Sequence, residues 1–273
     1  MASTSVTISP DVSSPSASRL TARFAALAAE GRKALVCYVT AGHPDPARSV
    51  ALIRGLAAAG ADVIEVGVPF SDPLADGPVI QQSSQSALDQ GVTLAQTLDL
   101  VREAAVAVPI VLFSYLNPIL AGGADVLARA RSAGVDGVLV TDLPVGADPV
   151  REQWFGASGL DFVRLVAPTT PAPRMEEIGR HGGGFVYLIS RLGVTGEQTS
   201  LAEDLPQTVA RLRASTTLPL CIGFGISTPE QAQAAARLGD GVVVGSAIVR
   251  AAGRSVEDAI ALTASLRAAI DAI

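Results

Sequence analysis

Hydrophobic positions along the chain form short runs rich in Val, Ile and Leu, which alternate with longer Ala-rich segments of helical period. Most of the short runs lack polar–apolar alternation, which is typical of parallel strands that are buried on both faces. The pattern predicts eight strands, at Ala34–Val39, Asp62–Val66, Ile110–Phe113, Gly137–Val140, Phe162–Val166, Phe185–Ile189, Leu220–Ile222 and Gly241–Val244.

The segments between the strands place their apolar residues on one helical face. The clearest amphipathic helices are predicted at Pro46–Ala59, Val126–Ala133, Pro229–Leu238 and Val256–Ala269. Two further helices, Arg19–Glu30 and Val79–Asp89, are additions to the repeating strand–helix unit.

Eight β/α units in 273 residues match the size of an α/β fold of the (β/α)8 TIM-barrel type. The competing architecture is a doubly wound open sheet. No GxGxxG sequence opens the first helix, and the glycine-rich loops come late in the chain, which favours the barrel. We therefore expect residues 19–273 to form a single TIM-barrel catalytic domain with an extra N-terminal helix.

Composition narrows the class of protein further. Hydrophobic residues make up 49% of the chain and aromatic residues only 4%, so the core is built from Ala, Val, Leu and Ile. The net charge is −6 and Lys and Arg form no basic stripe, which argues against a nucleic-acid partner. No apolar run has the length of a membrane span, so we expect a soluble protein.

The N-terminal segment and the cysteines bear on location. Residues 1–18 are rich in Ser, Thr and Pro and lack the basic start and apolar stretch of a signal peptide, which predicts a disordered tail. Cys37 and Cys221 lie in apolar strand-like runs and are expected to be buried reduced thiols. We expect a cytoplasmic protein.

The most informative polar residue is Glu65, because it lies in the middle of the apolar strand Asp62–Val66. An unpaired carboxylate is costly to bury, so a fold that keeps one there either pairs it or uses it chemically. Asp76 follows eleven residues later, in a loop rich in Gly, Pro and Asp. Two carboxylates in different settings, one desolvated and one wetter, can divide acid and base roles. The alternative is a structural ion pair together with a turn aspartate.

Glycine-rich loops follow the last three predicted strands, at residues 190–196, 223–227 and 245–248. Glycines allow backbone amides to approach an anion, and the loops after strands seven and eight of TIM barrels are a common phosphate site. A single such loop is explained as well by a tight turn, but three in succession favour a phosphate site. No GxxxxGK[ST] sequence is present, so the expected ligand is a small phosphorylated molecule rather than a nucleoside triphosphate.

Other polar residues fall at predicted strand ends, where the active site of a barrel lies: Thr40, Tyr115, Asn117, Asp142, Tyr187 and Thr195. Tyr187 is either an inward-pointing hydroxyl that assists proton transfer or an ordinary core tyrosine. Asp142 is either a turn cap or a ligand contact. His43 and His181 have no partner at metal-ligand spacing, so we expect no metal.

The segment Glu65–Pro78, with the sequence EVGVPFSDPLADGP, resembles the tryptophan synthase α-chain family. The loops SRLGVTG at 190–196, GFGIS at 223–227 and GSAI at 245–248 resemble the same family in the same order. The similarity runs from about Arg19 to the C-terminus, and its first segment is long and specific.

The resemblance implies a lyase that cleaves indole-3-glycerol phosphate into indole and glyceraldehyde 3-phosphate. It implies that Glu65 and Asp76 are the catalytic carboxylates and that Tyr187 is an active-site tyrosine. It also implies that Asp72 contacts the β chain, which is the partner in this family. The substrate- and phosphate-binding residues expected from the resemblance and the strand ends are Tyr38, Tyr115, Thr195, Gly196, Gly225, Gly245 and Ser246. Tyr38 departs from the phenylalanine usual at its position but keeps an aromatic face for the indole.

The resemblance also implies a tryptophan synthase β chain as partner, in an α2β2 heterotetramer. Pyridoxal phosphate is expected only in that partner, and no cofactor in this chain. The alternatives are a stand-alone lyase that releases free indole, an isomerase-type phosphate-binding barrel, or a catalytically silent subunit that activates its partner. The Pro-Phe-Ser-Asp-Pro loop argues against the isomerase, and the retention of Glu65 and Asp76 argues against the silent subunit.

Overall fold

A computed structural model describes residues 18–189, 204–223 and 225–273 of the chain. Its strands are β1 Ala34–Thr40, β2 Val63–Gly67, β3 Ile110–Ser114, β4 Gly137–Val140, β5 Asp161–Val166, β6 Val186–Ile189, β7 Leu220–Gly223 and β8 Gly241–Val244. They pair in parallel and in sequence order, and β8 pairs with β1, so the sheet closes into a barrel. The predicted TIM barrel is confirmed, and each strand was predicted to within one residue at either end.

The helices lie outside the barrel between successive strands. In the described residues they are α1 Arg19–Ala29, α2 Pro46–Ala58, α3 Pro78–Asp89, α4 Leu94–Ala104, α5 Leu116–Ala121, α6 Val126–Ser132, α7 Pro149–Gly156, α8 Ala172–His181, α9 Leu205–Ser215, α10 Pro229–Ala236, α11 Ser246–Arg254 and α12 Val256–Asp271. The extra helices predicted before β1 and after β2 are α1 and α3. The structure has second helices after β3 and β8 as well, which the hydrophobic pattern did not separate.

Side chains in the barrel follow the two-residue alternation of a strand. One set faces inward and forms a central cluster: Ala34, Val36, Val63, Val111, Leu139, Val163, Phe185, Cys221 and Val243. Leu20, Phe24 and Leu27 of α1 belong to the same cluster, so α1 closes the end of the barrel at which the strands begin. The opposite, carboxyl end remains for the functional site. Ser18, the last residue of the predicted tail, is the N-cap of α1, and residues 1–17 lie outside the described part.

Candidate active site at the carboxyl end of the barrel

Glu65 lies in the interior of the barrel near its carboxyl end. It comes two residues after the inward-facing Val63, so strand alternation directs its side chain to the same side. Its Cα pairs in register with Tyr38 of β1 and with Val111 of β3. Glu65 is only 1% exposed, and burial raises the pKa of its carboxyl to about 8. The carboxyl therefore holds its proton at neutral pH.

Asp62 shows what a structural carboxylate looks like in the same segment. It is equally buried, but it forms ion pairs with Arg267, at 2.8 Å, and with Arg23, and it accepts a hydrogen bond from the Leu35 N–H. By contrast, Glu65 Oε1 is buried and has no hydrogen-bond partner among the described residues. Within the described residues, the ion-pair alternative thus applies to Asp62 and not to Glu65. A buried carboxyl of raised pKa near the carboxyl end of a barrel is a candidate catalytic acid.

Asp76 lies in the loop between β2 and α3 and is partly exposed. Its Oδ2 accepts a hydrogen bond from the Tyr115 hydroxyl at 3.1 Å, and that hydroxyl accepts one from the Ala75 N–H at 2.8 Å. Burial raises the pKa of Asp76 to about 6, against the opposing effect of the Tyr115 hydrogen bond. Asp76 is consequently ionised at neutral pH, where Glu65 is protonated.

Two inward-pointing tyrosines lean over glycines on neighbouring strands. A Cβ at Gly67 would overlap Tyr38 Oη, and a Cβ at Gly223 would lie 2.5 Å from Tyr187 Oη. The missing side chains thus leave room for both phenol groups. The Tyr38 ring also meets the Phe113 ring edge to face, with centroids 5.2 Å apart. Burial raises the pKa of both tyrosines, and the neighbouring carboxylates raise it further, so both hydroxyls remain protonated.

The expected phosphate-binding residues are described only in part. Gly245 is the N-cap of α11 and has no side chain to cap the amides of the first turn, which begins at Ser246. Gly225 has a φ of +82° in the exposed loop after β7, and none of the described residues lies within 4 Å of where its Cβ would be. Thr195 and Gly196 lie outside the described residues.

Asp72 is exposed in the loop between β2 and α3 and accepts a hydrogen bond from Ser71 Oγ at 2.6 Å. Leu74 in the same loop is 88% exposed. The other large apolar side chains exposed in the described part of the chain are Leu120 of α5, Val150 of α7 and the terminal Ile273. Leu74, Leu120 and Val150 follow three consecutive strands, β2, β3 and β4, on the same rim of the barrel.

The remaining candidate residues from the strand ends and loops have other surroundings than Glu65 and Asp76. Asp142 is exposed and accepts a hydrogen bond from the Leu116 N–H at 2.7 Å, which agrees with the turn-cap alternative. Asn117 and His181 are exposed, and His43 is half-buried, with its pKa lowered by burial. Among the described residues there is no group of three or more potential metal ligands of the His, Cys, Asp or Glu type. The expectation of a metal-free site stays a prediction.

Comparison with known proteins identifies the family. The model of the tryptophan synthase alpha chain family matches residues 24–272. The chain belongs to this family. A tryptophan synthase alpha chain from Gluconacetobacter diazotrophicus is 51% identical over 236 residues, covering 85% of this chain and 86% of the relative.

Solved structures agree with the sequence comparison. The tryptophan synthase alpha subunit of Legionella pneumophila superposes with a TM-score of 0.86 at 35% identity, covering 94% of this chain and 99% of that one. A Mycobacterium tuberculosis tryptophan synthase chain gives a TM-score of 0.86 at 36% identity, covering 93% and 98%. As a member of this family, the protein is a lyase of tryptophan biosynthesis that cleaves indole-3-glycerol phosphate to indole and glyceraldehyde 3-phosphate.

Several residues at the site had no signal in the sequence. Ser83 of α3 contacts Thr40, and Gln81 of the same helix contacts the Asp76 main chain. Phe113 of β3 packs against Tyr38. In the sequence, Ser83 and Gln81 are indistinguishable from other polar residues of an amphipathic helix. Their contacts depend on how α3 is placed against the barrel, which the local pattern does not specify.

Proposed function

We propose that Glu65 is the general acid and base of the cleavage. Its neutral carboxyl would donate a proton to C3 of the indole ring, which gives a positively charged 3H-indolium. The resulting carboxylate would then take the proton of the hydroxyl on the adjacent glycerol carbon. The bond between C3 and that carbon breaks, its electron pair neutralises the ring, and the hydroxyl carbon becomes the aldehyde. Protons and charge balance, and Glu65 ends protonated as it began.

Asp76 has the opposite protonation state and would take the complementary role. Its carboxylate would accept a hydrogen bond from the indole N–H and stabilise the positive charge that develops on the protonated ring. The pKa of about 6 supports this role, because the group is charged where Glu65, with a pKa of about 8, is not. Tyr187 would donate a hydrogen bond near these groups, since its phenol stays protonated.

The other residues would bind the substrate. Tyr38 and Tyr115 offer aromatic faces on either side of the loop that carries Asp76, and we propose that the indole lies against them. The amides at the start of α11, at Gly245 and Ser246, receive no side-chain cap from the N-cap residue and suit the phosphate. Gly225 would add a further amide from the neighbouring loop. Thr195 and Gly196 would also bind the substrate and its phosphate, as the family resemblance implies.

A β chain is the partner of members of this family, and we propose that it docks on the rim that carries Asp72. The support is that three exposed apolar side chains, Leu74, Leu120 and Val150, follow the consecutive strands β2, β3 and β4, and that Leu74 shares its loop with Asp72. Exposed apolar residues that cluster on one face are typical of a protein–protein interface. The finer proposal is an α2β2 heterotetramer in which indole passes to the β chain.

Two further expectations belong with this proposal. The cleavage as written needs no electron-accepting cofactor, because the protonated indole ring accepts the electron pair. Pyridoxal phosphate would therefore be confined to the β chain.

Cys37 and Cys221 are buried free thiols, and burial raises the pKa of Cys37 to about 12, in keeping with a reducing, cytoplasmic location. In the described residues no helix is long and apolar enough to cross a membrane.

The observation that carries the proposal is the buried carboxyl of Glu65, whose Oε1 has no hydrogen-bond partner among the described residues. The test is indole release from indole-3-glycerol phosphate by the purified chain, with and without an added tryptophan synthase β chain. Weak activity that rises steeply with the β chain supports a synthase α subunit. Strong activity that the β chain does not change favours the stand-alone lyase. Absence of activity in both conditions contradicts the catalytic assignment.

A further inference from the structure

A buried pair of hydroxyls joins the first strand to the third helix. Thr40 is the last residue of β1 and Ser83 lies in the second turn of α3; they are 1% and 2% exposed. Their hydroxyl oxygens are 2.6 Å apart. Ser83 donates its proton to the Ile80 carbonyl at 2.9 Å, so Thr40 is the donor in the pair. Loss of the Ser83 hydroxyl would leave the buried Thr40 donor without this acceptor, which is more costly than losing an exposed hydrogen bond.

The same helix holds the backbone of Asp76. Gln81 Nε2, one turn into α3, donates a hydrogen bond to the Asp76 carbonyl at 2.9 Å. Asp76 precedes the first residue of α3, Pro78, by only two positions. Tyr115 directs the carboxylate of Asp76, whereas α3 fixes its main chain. The position of α3 therefore determines where the Asp76 carboxylate can lie.

The tyrosine of β1 meets α3 at the same place. Tyr38 forms a small buried cluster with Ile80 of α3 and Val249 of α11. Its hydroxyl lies 3.5 Å from Thr40 Oγ1, at the outer limit of a hydrogen bond. The apolar contact with Ile80 can slide, but the 2.6 Å hydroxyl pair cannot without losing its geometry. The hydroxyl pair is thus the directional part of the contact between β1 and α3.

We propose that Thr40 and Ser83 are positioning residues for Asp76, acting through α3 and Gln81. The inference rests on the proposed role of Asp76. The two hydroxyls set α3 against β1, and Gln81 carries that position to the Asp76 main chain. The aspartate then meets the indole N–H at the distance and angle needed when the ring becomes charged.

The kinetic test compares Thr40→Val, which removes the hydroxyl at nearly constant volume, with Thr40→Ser, which keeps it. Ser83→Ala and Gln81→Ala remove the other two links, and Ser86→Ala, on the same helix, is the matched control. Thr40→Val and Ser83→Ala should lower kcat about tenfold with KM changed by less than about twofold, because a small displacement of a catalytic group affects the transition state most. Thr40→Ser should retain most of the activity.

A double-mutant cycle separates positioning from a general structural effect. In an Asp76→Asn background, Thr40→Val should cause little further loss of kcat, because the group it positions is already gone. If the losses multiply in full, or if Thr40→Val and Ser83→Ala turn over like wild type, the inference is wrong. Gln81 is exposed, so Gln81→Ala keeps the test available if the buried variants do not fold.

A measurement that does not depend on activity distinguishes this inference from the proposed function. Amide hydrogen exchange of the segment 73–77 reports the hydrogen bonds of Ala75 and Asp76. Exchange there should be faster in Thr40→Val, Ser83→Ala and Gln81→Ala than in wild type and Ser86→Ala. Faster exchange in a protein whose wild type releases no indole would uphold the anchoring and reject the role of Asp76. Unchanged exchange in all variants would overturn the anchoring itself.

Discussion

The Tyr115 hydroxyl donates a hydrogen bond to Asp76 Oδ2 at 3.1 Å, across the gap between the segments that follow β3 and β2. The same hydroxyl accepts from the Ala75 N–H, so it holds both the side chain and the preceding main chain of the aspartate. The bond lowers the pKa of Asp76 and partly offsets the burial that raises it to about 6. Tyr115 thereby helps to keep Asp76 ionised under conditions in which Glu65 is protonated.

Tyr115→Phe should raise the pKa of Asp76 further above 6, because the donor that favours the carboxylate is lost. The acidic limb of the pH profile of kcat/KM should then move to higher pH. The measurement is indole release across the pH range for wild type and variant. Tyr38→Phe is the control, since its hydroxyl lies beside Thr40 and makes no hydrogen bond to Asp76. Acidic limbs that coincide in wild type and Tyr115→Phe would contradict the role of Tyr115.

Glu65 should make the protein less stable as the pH rises. Its pKa is raised from 4.5 to about 8, so the folded chain keeps a proton that the unfolded chain loses in this window. The free energy of unfolding falls with pH wherever the folded state binds more protons, which amounts to about 3 kcal/mol between about pH 5 and about pH 7.5.

Glu65→Gln lacks this titration, so its stability advantage over wild type should grow by about 3 kcal/mol across the same interval. Urea unfolding of both proteins at the two pH values measures the difference. All other groups titrate in both proteins and cancel. A difference between them that stays constant with pH would show that Glu65 is not held protonated by the fold.

Much of the fold could be predicted from the sequence because the information is local. The strands Ile110–Phe113 and Gly137–Val140 are apolar on both faces, and both were predicted to within one residue of their observed ends. The short helix Leu116–Ala121 was not predicted, because six residues that include a proline show no helical period. Its start is capped by Asp142 from the next strand end, a contact that no local pattern contains.

The residues of the candidate site could likewise be predicted only where the sequence signal is local. Glu65 could be found because a carboxylate in an apolar strand is conspicuous, and Asp76 because it follows in a loop of turn-forming residues. The hydrogen bond from Tyr115 to Asp76 joins residues 39 positions apart, and the contact between Thr40 and Ser83 joins residues 43 apart. Such pairs exist only once the barrel has closed, so their partners had to come from the structure.

Gly223→Ala tests the packing of Tyr187. The added Cβ would lie 2.5 Å from Tyr187 Oη and 2.8 Å from the Val243 Cβ, so the phenol must move. We expect a loss of about 1–3 kcal/mol in the free energy of unfolding and a lower kcat. Gly156→Ala is the control, because no atom in the described part of the chain lies within 4 Å of where an added Cβ would be at the end of α7. Equal stability and activity of the two variants would contradict the close fit of Tyr187 over Gly223.

Leu74→Asp tests the proposed docking rim. Leu74 is 88% exposed, so the substitution should not disturb folding, but it places a charge where an apolar contact is expected. The stimulation of indole release by an added β chain should fall about tenfold or more. Ile273→Asp is the control, because Ile273 lies beside Arg32 and Lys33 at the opposite end of the barrel. Undiminished stimulation of Leu74→Asp would place the interface elsewhere.

The most direct test of the account is indole release from indole-3-glycerol phosphate by Glu65→Gln, measured beside wild type at neutral pH. Glutamine keeps the size of the side chain and cannot donate or accept the proton, so turnover should fall by about 10²–10⁴-fold or more, while the thermal unfolding transition stays cooperative. Near-native turnover in a folded Glu65→Gln protein would contradict the claim that this carboxyl carries out the proton transfers.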